Sequence, residues 1–164
     1  MNEISIVSDA TSLIILGKLE RYDLLRNIFK KIIIPQEVMR EISKKTDGVY
    51  EKIIENHFFE IKKITNIALL SLLDGILDRG ECEAIILVNE LNHLLLIDEK
   101  KGRSVAKGMG LNIIGLIGIL LLNIKKGALS KKESIEIFTA IKNLNFRVSK
   151  TLEKHFLLEL KKIQ

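Results

Sequence analysis

The 164-residue sequence has one cysteine, one proline, no tryptophan and only two tyrosines and six phenylalanines. The lone Cys82 excludes an internal disulfide and is typical of a reducing compartment, so we expect a cytoplasmic protein. A single proline and ten glycines leave no Pro/Gly-rich linker. The start of the chain has no basic segment followed by an apolar one, so we expect no secretion signal.

Several binding motifs and long apolar runs are also missing. The most apolar run, residues 113–122, is far shorter than the roughly 20 residues that a membrane-spanning helix needs. The three histidines (His57, His93 and His155) have no second ligand at zinc-binding spacing. No GxxxxGK[ST] loop occurs, and no ladder of alternating basic and aromatic residues indicates a single-strand binder.

Charge is unevenly distributed along the chain, whose formal net charge is +5. Residues 1–99 hold 12 Lys and Arg against 17 Asp and Glu, whereas residues 100–164 hold 14 against 4. An acidic half joined to a basic half is what a metal site beside a phosphate-binding surface would look like. A lysine-rich face in contact with solvent explains the same pattern without any ligand.

Short apolar segments alternate with helical patterns, which predicts an α/β fold with a parallel sheet covered on both faces. We expect a three-layer sandwich with a central parallel sheet of four to five strands flanked by helices. The segment 46–57 shows no clear pattern. Residues 1–127 are predicted to form the core and residues 128–164 a C-terminal helical extension packed on the same domain. The predicted strands are Glu3–Val7, Ile32–Pro35, Phe58–Ile61, Leu94–Ile97 and Leu111–Ile114.

Carboxylates follow two of these strands directly. Asp9 and Asp98 are the first acidic residues past an apolar strand, and the carboxyl ends of parallel strands share one edge. Glu41, on the helix after the second strand, and Glu83, early in a later helix, are further candidates, with Glu81 beside Glu83. Clustered carboxylates suit a hard dication such as Mg²⁺ or Mn²⁺, which activates water for phosphodiester hydrolysis. Asp9 and Asp98 also fit helix caps, Glu81 and Glu83 fit the positive end of a helix dipole, and Glu41 could be an exposed partner of Lys44 or Lys45.

Five segments together resemble the PIN-domain ribonucleases, in the branch similar to VapC-type toxins of prokaryotic toxin–antitoxin pairs. The likeness covers nearly the whole chain in the right order. The segments are "VSDATSLIILGKL", "IIIPQEVMREI", "RGECEAIILV", "LLLIDEKKGRSVAKGMGLNIIGLIGILLLNIKKG" and "FRVSKTLEKHFL".

The resemblance implies a set of site residues by position. The family's acidic residues fall on Asp9, Glu41, Glu83 and Asp98, all expected to be catalytic, with Asp9, Glu83 and Asp98 as metal ligands. Residues two apart on a helix point about 200° apart, so Glu81 and Glu83 cannot both face one metal. We choose Glu83, because it begins the acidic–Ala–aliphatic stretch. Substrate contacts are expected from the hydroxyl of Thr11 and from Lys100, Lys101 and Arg103.

The resemblance further implies a Mg²⁺- or Mn²⁺-dependent endoribonuclease, a homodimer, and a small antitoxin protein that blocks the site, with no membrane partner. Two other readings stay open from the residues alone. One is a non-catalytic nucleic-acid-binding module on the same fold, in which the carboxylates only cap helices. The other is a phosphatase or phosphotransfer domain in which the aspartate after the first strand is the nucleophile.

Overall fold

A computed structural model of the protein describes residues 4–164. The chain divides into two compact units, Met1–Gly115 and Leu116–Gln164. The division falls after Gly115, whereas the sequence placed the start of the C-terminal extension at residue 128. The expected packing of that extension on the core stays a prediction.

The first unit contains a five-stranded parallel sheet, which confirms the predicted α/β class. The strands lie within one or two residues of their expected bounds, although Glu3 of the first predicted strand lies outside the described residues. In spatial order they are β3, β2, β1, β4 and β5. Their bounds are β1 Ser5–Ser8, β2 Lys31–Pro35, β3 Phe59–Lys62, β4 Leu94–Leu96 and β5 Ile113–Ile114.

The direction in which successive strands are added to the sheet changes once, between β3 and β4, so the topological switch point lies between the neighbouring strands β1 and β4. Val7 pairs with Ile33 of β2 on one side and with Leu95 of β4 on the other. The chain builds the sheet outward from β1 through β2 to β3, and then returns to add β4 and β5 on the opposite side. Ligands in open parallel sheets bind outside the carboxyl ends of strands at such a switch point. The ends of β1 and β4 are therefore the first place to look for a site.

Seven helices of the first unit flank this sheet, and one of them was not expected. The helix over Val49–Ile54 begins after Gly48, which has φ +81° and offers no side-chain cap. It occupies part of the segment for which the sequence showed no pattern, because it is short and lacks the usual start signals. The helices are α1 Ala10–Lys18, α2 Asp23–Arg26, α3 Gln36–Ser43, α4 Val49–Ile54, α5 Ile67–Leu73, α6 Arg79–Leu91 and α7 Lys100–Gly108.

Helix α6 is the central helix of this unit. Its residues from Cys82 to Val88 are all buried, and it packs against β1, β2, β4, α3 and α5. Asp78 caps its start by accepting a hydrogen bond from the N–H of Glu81 at 2.9 Å. Burial, with nearby negative charge, raises the pKa of the Cys82 thiol, which agrees with a structural role for that residue. The buried packing fixes the rotation of α6 and therefore decides where its glutamates point.

The second unit consists of three helices, α8 Leu116–Lys125, α9 Lys131–Asn143 and α10 Lys150–Lys162. Helices α9 and α10 begin at serine caps, Ser130 and Ser149, and the rings of Phe138 and Phe156 stack with centroids 4.6 Å apart. Within residues 4–164, no helix combines the length and the apolar character required to cross a membrane.

Candidate functional site

Asp9 and Asp98 meet at the carboxyl ends of β1 and β4. The N–H of Asp9 donates to the carbonyl of Leu96 at 3.0 Å, which extends the pairing of the two strands by one residue. The N–H of Asp98 in turn donates to Oδ2 of Asp9 at 3.3 Å. The sheet thus brings together two acids that are 89 residues apart in sequence.

Asp9 is an almost completely buried carboxylate, with 5% of its surface exposed. Its Oδ1 accepts a hydrogen bond from the N–H of Ser12 at 3.4 Å, so it also caps α1. Burial, and after it the charge of Asp98, raise the pKa of Asp9 from 3.8 to about 8. A buried acid whose neighbour is another acid is more stable when it shares its negative charge with a proton or a cation.

The carboxylate of Asp98 is held by a hydroxyl that the sequence interpretation passed over. Ser12 Oγ donates to Asp98 Oδ2 at 2.6 Å, and Ser12 is fully buried. Thr11, the hydroxyl selected from the sequence, is exposed on α1. The spacing in the sequence could have indicated Ser12. It lies three residues after Asp9, and in a helix capped by Asp9 that position is on the same side of the helix as the capping residue.

Gly115 packs against the opposite side of Asp98. A Cβ at this position would lie 2.9 Å from Asp98 Oδ1 and 3.1 Å from Arg103 Nη1. Arg103 is anchored by a hydrogen bond from Nη1 to the carbonyl of Ile97 at 2.7 Å. Only glycine leaves room for the backbone to approach both side chains.

Glu81 joins the acidic cluster from the first turn of α6. Burial, together with the charges of Asp78, Glu99 and Glu41, raises the pKa of Glu81 to about 7. The charge of Glu81 in turn raises the pKa of Asp9. Glu81 therefore interacts electrostatically with Asp9 and with the acids that raise its own pKa.

Glu83 points elsewhere. It is 6% exposed, and its Oε1 accepts a hydrogen bond from the N–H of Glu37 at 3.1 Å, at the start of α3. Its Oε2 pairs with Arg79 Nε at 3.3 Å. Both oxygens of Glu83, the glutamate chosen from the sequence, are thus engaged by Glu37 and Arg79, whereas Glu81 acts on the acidic cluster through its charge.

Glu41 lies on the α3 side of the cluster and is partly exposed. Partial burial raises its pKa, and the charge of Asp78 raises it further. A Cβ added to Gly80 would lie 3.3 Å from Glu41 Oε2, so α3 and α6 approach closely here. Asp78, which the sequence interpretation did not select, thus acts on both Glu41 and Glu81. A shallow depression of about 230 Å³ opens beside them, lined by Glu37, Glu41, Lys44, Asp78, Arg79 and Gly80.

The start of α7 carries the basic run that follows Asp98. Glu99 caps this helix by accepting a hydrogen bond from the N–H of Gly102 at 2.9 Å. Lys100 and Lys101 are exposed in the first turn, whereas Arg103 is partly buried and bonded as described. Two exposed lysines and one hydrogen-bonded arginine therefore come shortly after Asp98 in the sequence.

The donor set suits a hard dication in its chemistry. Asp9, Asp98 and Glu81 supply only carboxylate oxygens, the ligands that Mg²⁺ and Mn²⁺ prefer. The raised pKa values of Asp9 and Glu81 come first from burial and then from repulsion between the acids, and a bound cation would offset both. Across residues 4–164, however, no group of three or more His, Cys, Asp or Glu side chains is close enough to hold a metal ion as the side chains now lie. Binding would therefore require the carboxylates to rotate toward a common point.

Comparison with protein families shows the family of this chain. A family model described as a PIN domain (DUF3368) matches residues 5–162. No curated protein matches the chain. A solved structure of a PilT N-terminus domain protein from the hyperthermophilic archaeon Sulfolobus solfataricus P2 is similar, with a TM-score of 0.49 and 20% sequence identity. That similarity covers 71% of this chain and 90% of the other.

Proposed function

Because this chain belongs to the DUF3368 family of PIN domains, whose fold is of nuclease type, we propose that it is a metal-dependent endoribonuclease. The proposed reaction is hydrolysis of an RNA phosphodiester bond by water, and the proposed cofactor is Mg²⁺ or Mn²⁺. Four acids form the proposed site, namely Asp9, Glu41, Glu81 and Asp98.

One observation supports this proposal more than any other. Asp9 and Asp98 lie at the switch point of the sheet, joined by a hydrogen bond from the N–H of Asp98 to Asp9 Oδ2. Keeping the half-buried Asp98 beside the buried Asp9 costs folding free energy, because like charges repel and lose hydration. Asp9 and Asp98 lie where parallel sheets bind ligands, so binding of a cation explains their proximity better than a contribution to folding stability does.

The protein's own groups have distinct proposed roles. Asp9 and Asp98 are the primary ligands, with Glu81 completing the set from α6 and Glu41 acting from α3. When bound, the dication polarises a phosphoryl oxygen and lowers the pKa of a coordinated water. Ser12 holds the Asp98 carboxylate in one orientation, and the fixed Arg103 guanidinium keeps positive charge beside it. Glu41, whose pKa is raised, is suited to take a proton from the attacking water.

The exposed lysines of α7 are proposed to bind the RNA backbone. Lys100 and Lys101 follow the acidic cluster directly, and phosphate contacts of this kind need charge rather than base recognition. Substrate contacts by Thr11 and Arg103, a homodimer, and an antitoxin partner that covers the site stay predictions.

The decisive experiment is cleavage of a labelled RNA oligonucleotide by purified protein with Mn²⁺, Mg²⁺ or EDTA. We expect cleavage that requires the dication and falls at least 100-fold in Asp9→Asn, an order of magnitude typical of losing a metal ligand. Glu136→Gln is the matched control, because Glu136 is exposed on α9 and far from the acidic cluster in sequence. Equal cleavage by Asp9→Asn and native protein would remove the proposal.

The chemistry of the cut can be tested in the same assay. Attack by water does not need the ribose 2′-hydroxyl, so replacing the scissile nucleotide by its 2′-deoxy form should leave cleavage possible. Complete loss of cleavage at that position, with 2′,3′-cyclic phosphate products from the all-ribose RNA, would indicate attack by the 2′-hydroxyl instead.

A second candidate, a non-catalytic nucleic-acid-binding module, is favoured by the capping role of several of the acids. Asp9, Asp78 and Glu99 each accept a hydrogen bond from a main-chain N–H in the first turn of a helix. In that case RNA would bind with a strong salt dependence, and neither Mn²⁺ nor Asp9→Asn would change the length of the RNA.

A further inference from the structure

We infer that Glu83 is a positioning residue, which caps α3 from the neighbouring helix α6 and thereby fixes Glu41 at the acidic cluster. The inference rests on the proposed function for the role of Glu41, but the cap itself does not. The inference gives a structural role to Glu83, a buried acid that is not among the proposed metal ligands.

Helix α3 has no cap of its own. The residue before it is Pro35, whose side chain makes no hydrogen bond to the first turn. The first N–H groups of a helix have no partner within the helix, so they bind side chains, water or other groups outside it. The N–H of Glu37 finds it in Glu83 Oε1 at 3.1 Å. The bond is charge-assisted, and its negative charge lies at the positive end of the α3 dipole.

Both oxygens of Glu83 are already engaged. Oε1 accepts from Glu37 and Oε2 pairs with Arg79, one turn earlier on α6. With 6% of its surface exposed, Glu83 has little access to water. To bind a metal it would have to give up two hydrogen-bond donors, one of them the main-chain N–H of Glu37 at the partly buried start of α3.

The cap is coupled to the site through the geometry of α3. Glu37 and Glu41 are four residues apart and so lie on the same face of α3. That face packs closely against α6, because a Cβ on Gly80 would be 3.3 Å from Glu41 Oε2 and 3.4 Å from Val38 Cγ2. A small rotation of α3 would therefore move the Glu41 carboxylate directly. The hydrogen bond from Glu37 to Glu83 opposes that rotation.

The first experiment compares Mn²⁺ affinity by calorimetry in the native protein, Glu83→Gln and Glu83→Ala. Glutamine keeps a carbonyl oxygen for the Glu37 N–H but is a poor ligand for a hard cation. We expect Glu83→Gln to keep its affinity within about threefold and Glu83→Ala to lose about tenfold, the effect typical of residues that support a metal ligand. An equal loss in Glu83→Gln and Asp9→Asn would make Glu83 a ligand and overturn the inference.

The second experiment needs no metal. Amide hydrogen exchange at Glu37, measured by NMR with EDTA present, should accelerate in Glu83→Ala and stay near native in Glu83→Gln. Unchanged exchange in Glu83→Ala would refute the cap. If Glu83→Ala does not fold, a tenfold loss of Mn²⁺ affinity in Glu83→Gln, or accelerated exchange at Glu37 in that variant, would still overturn the inference.

The two proposals fail in different ways. Native protein that neither binds Mn²⁺ nor cleaves RNA would end the proposed function and the role of Glu41, whatever the exchange data show. Native protein that binds Mn²⁺, together with a Glu83→Ala variant of unchanged affinity, would leave the metal site standing and overturn the positioning role of Glu83.

Discussion

Asp98 donates its main-chain N–H to the side chain of Asp9, across 3.3 Å at the end of two adjacent strands. This bond orients the Asp9 carboxylate toward the backbone of Asp98, whereas the main-chain bond from the Asp9 N–H to the Leu96 carbonyl sets the spacing of the two strand ends. The bond from the Asp98 N–H also compensates part of the cost of burying Asp9 as an anion, since a hydrogen bond to the charged form lowers the pKa of that acid. Even so, burial and the charge of Asp98 prevail and raise the pKa to about 8.

Removing the hydroxyl that orients Asp98 should weaken the site. In Ser12→Ala, Asp98 Oδ2 loses the 2.6 Å hydrogen bond from Ser12 Oγ. We expect Mn²⁺ affinity to fall by roughly 10-fold and the free energy of unfolding by about 1 kcal/mol, measured by calorimetry and urea unfolding. Thr11→Ala is the matched control, because Thr11 is the exposed neighbouring hydroxyl. Equal Mn²⁺ affinities in the two variants would contradict the role given to Ser12.

A methyl group on Gly115 should push Asp98 out of place. Its Cβ would lie 2.9 Å from Asp98 Oδ1, which is closer than real contacts allow. We expect Gly115→Ala to lower RNA cleavage by at least 10-fold, because a small misplacement of a reacting group is costly. Gly108→Ala adds the same methyl group in open space at the end of α7, so its cleavage should stay near native. Loss of activity in both variants would indicate a general effect on folding.

The stability of the metal-free protein should fall as the pH rises. The pKa of Asp9 is 3.8 in the reference state and about 8 when folded, so below about pH 4 both states hold the proton. Between pH 4 and 8 only the unfolded state releases it, and the unfolded state is favoured progressively. Thermal unfolding in EDTA should therefore show a falling melting temperature across this range.

Mn²⁺ should reverse that trend, because a bound cation replaces the proton on Asp9. Metal affinity should rise with pH up to about 8 as competition with protons is lost. In Asp9→Asn, the fall of stability with pH should become shallower, since the largest raised carboxyl pKa is removed while those of Glu81 and Glu41 remain. A pH profile identical to that of the native protein would show that Asp9 does not carry the effect.

Glu81→Gln should separate stability from function. Removing this charge relieves repulsion with Asp78, Glu99 and Asp9, so the metal-free variant should unfold at a higher temperature near pH 8. Mn²⁺ affinity should fall by 10-fold or more, because one proposed ligand becomes a neutral amide. Calorimetry and thermal unfolding of one preparation test the expected loss of Mn²⁺ affinity and the expected rise in melting temperature. Unchanged Mn²⁺ affinity would remove Glu81 from the site.

The sheet and the meeting of Asp9 with Asp98 could be predicted because they follow from local signals. Each strand is a short apolar run, and parallel strands deliver whatever follows them to one common edge. The order of the five segments along the chain resembles that of PIN domains, and the family match over residues 5–162 confirms the PIN-domain assignment.

Finer features of the site depend on rotations that the sequence does not reveal. The choice between Glu81 and Glu83 is decided by how α6 packs between the sheet and its neighbouring helices, which turns Glu83 toward the N–H of Glu37. The choice between Thr11 and Ser12 depends in the same way on the rotation of α1. The short helix after Gly48 was missed because it begins without a side-chain cap.

The most direct test is a crystal structure of the native protein grown with MnCl₂ at pH 8, with diffraction data collected at the manganese absorption edge. We expect an anomalous peak between Asp9 and Asp98, about 2.0–2.3 Å from an oxygen of each, with Glu81 on the same side. Carboxylates that keep their present hydrogen bonds, with no manganese peak beside Asp9, would contradict the metal site on which the proposed function depends.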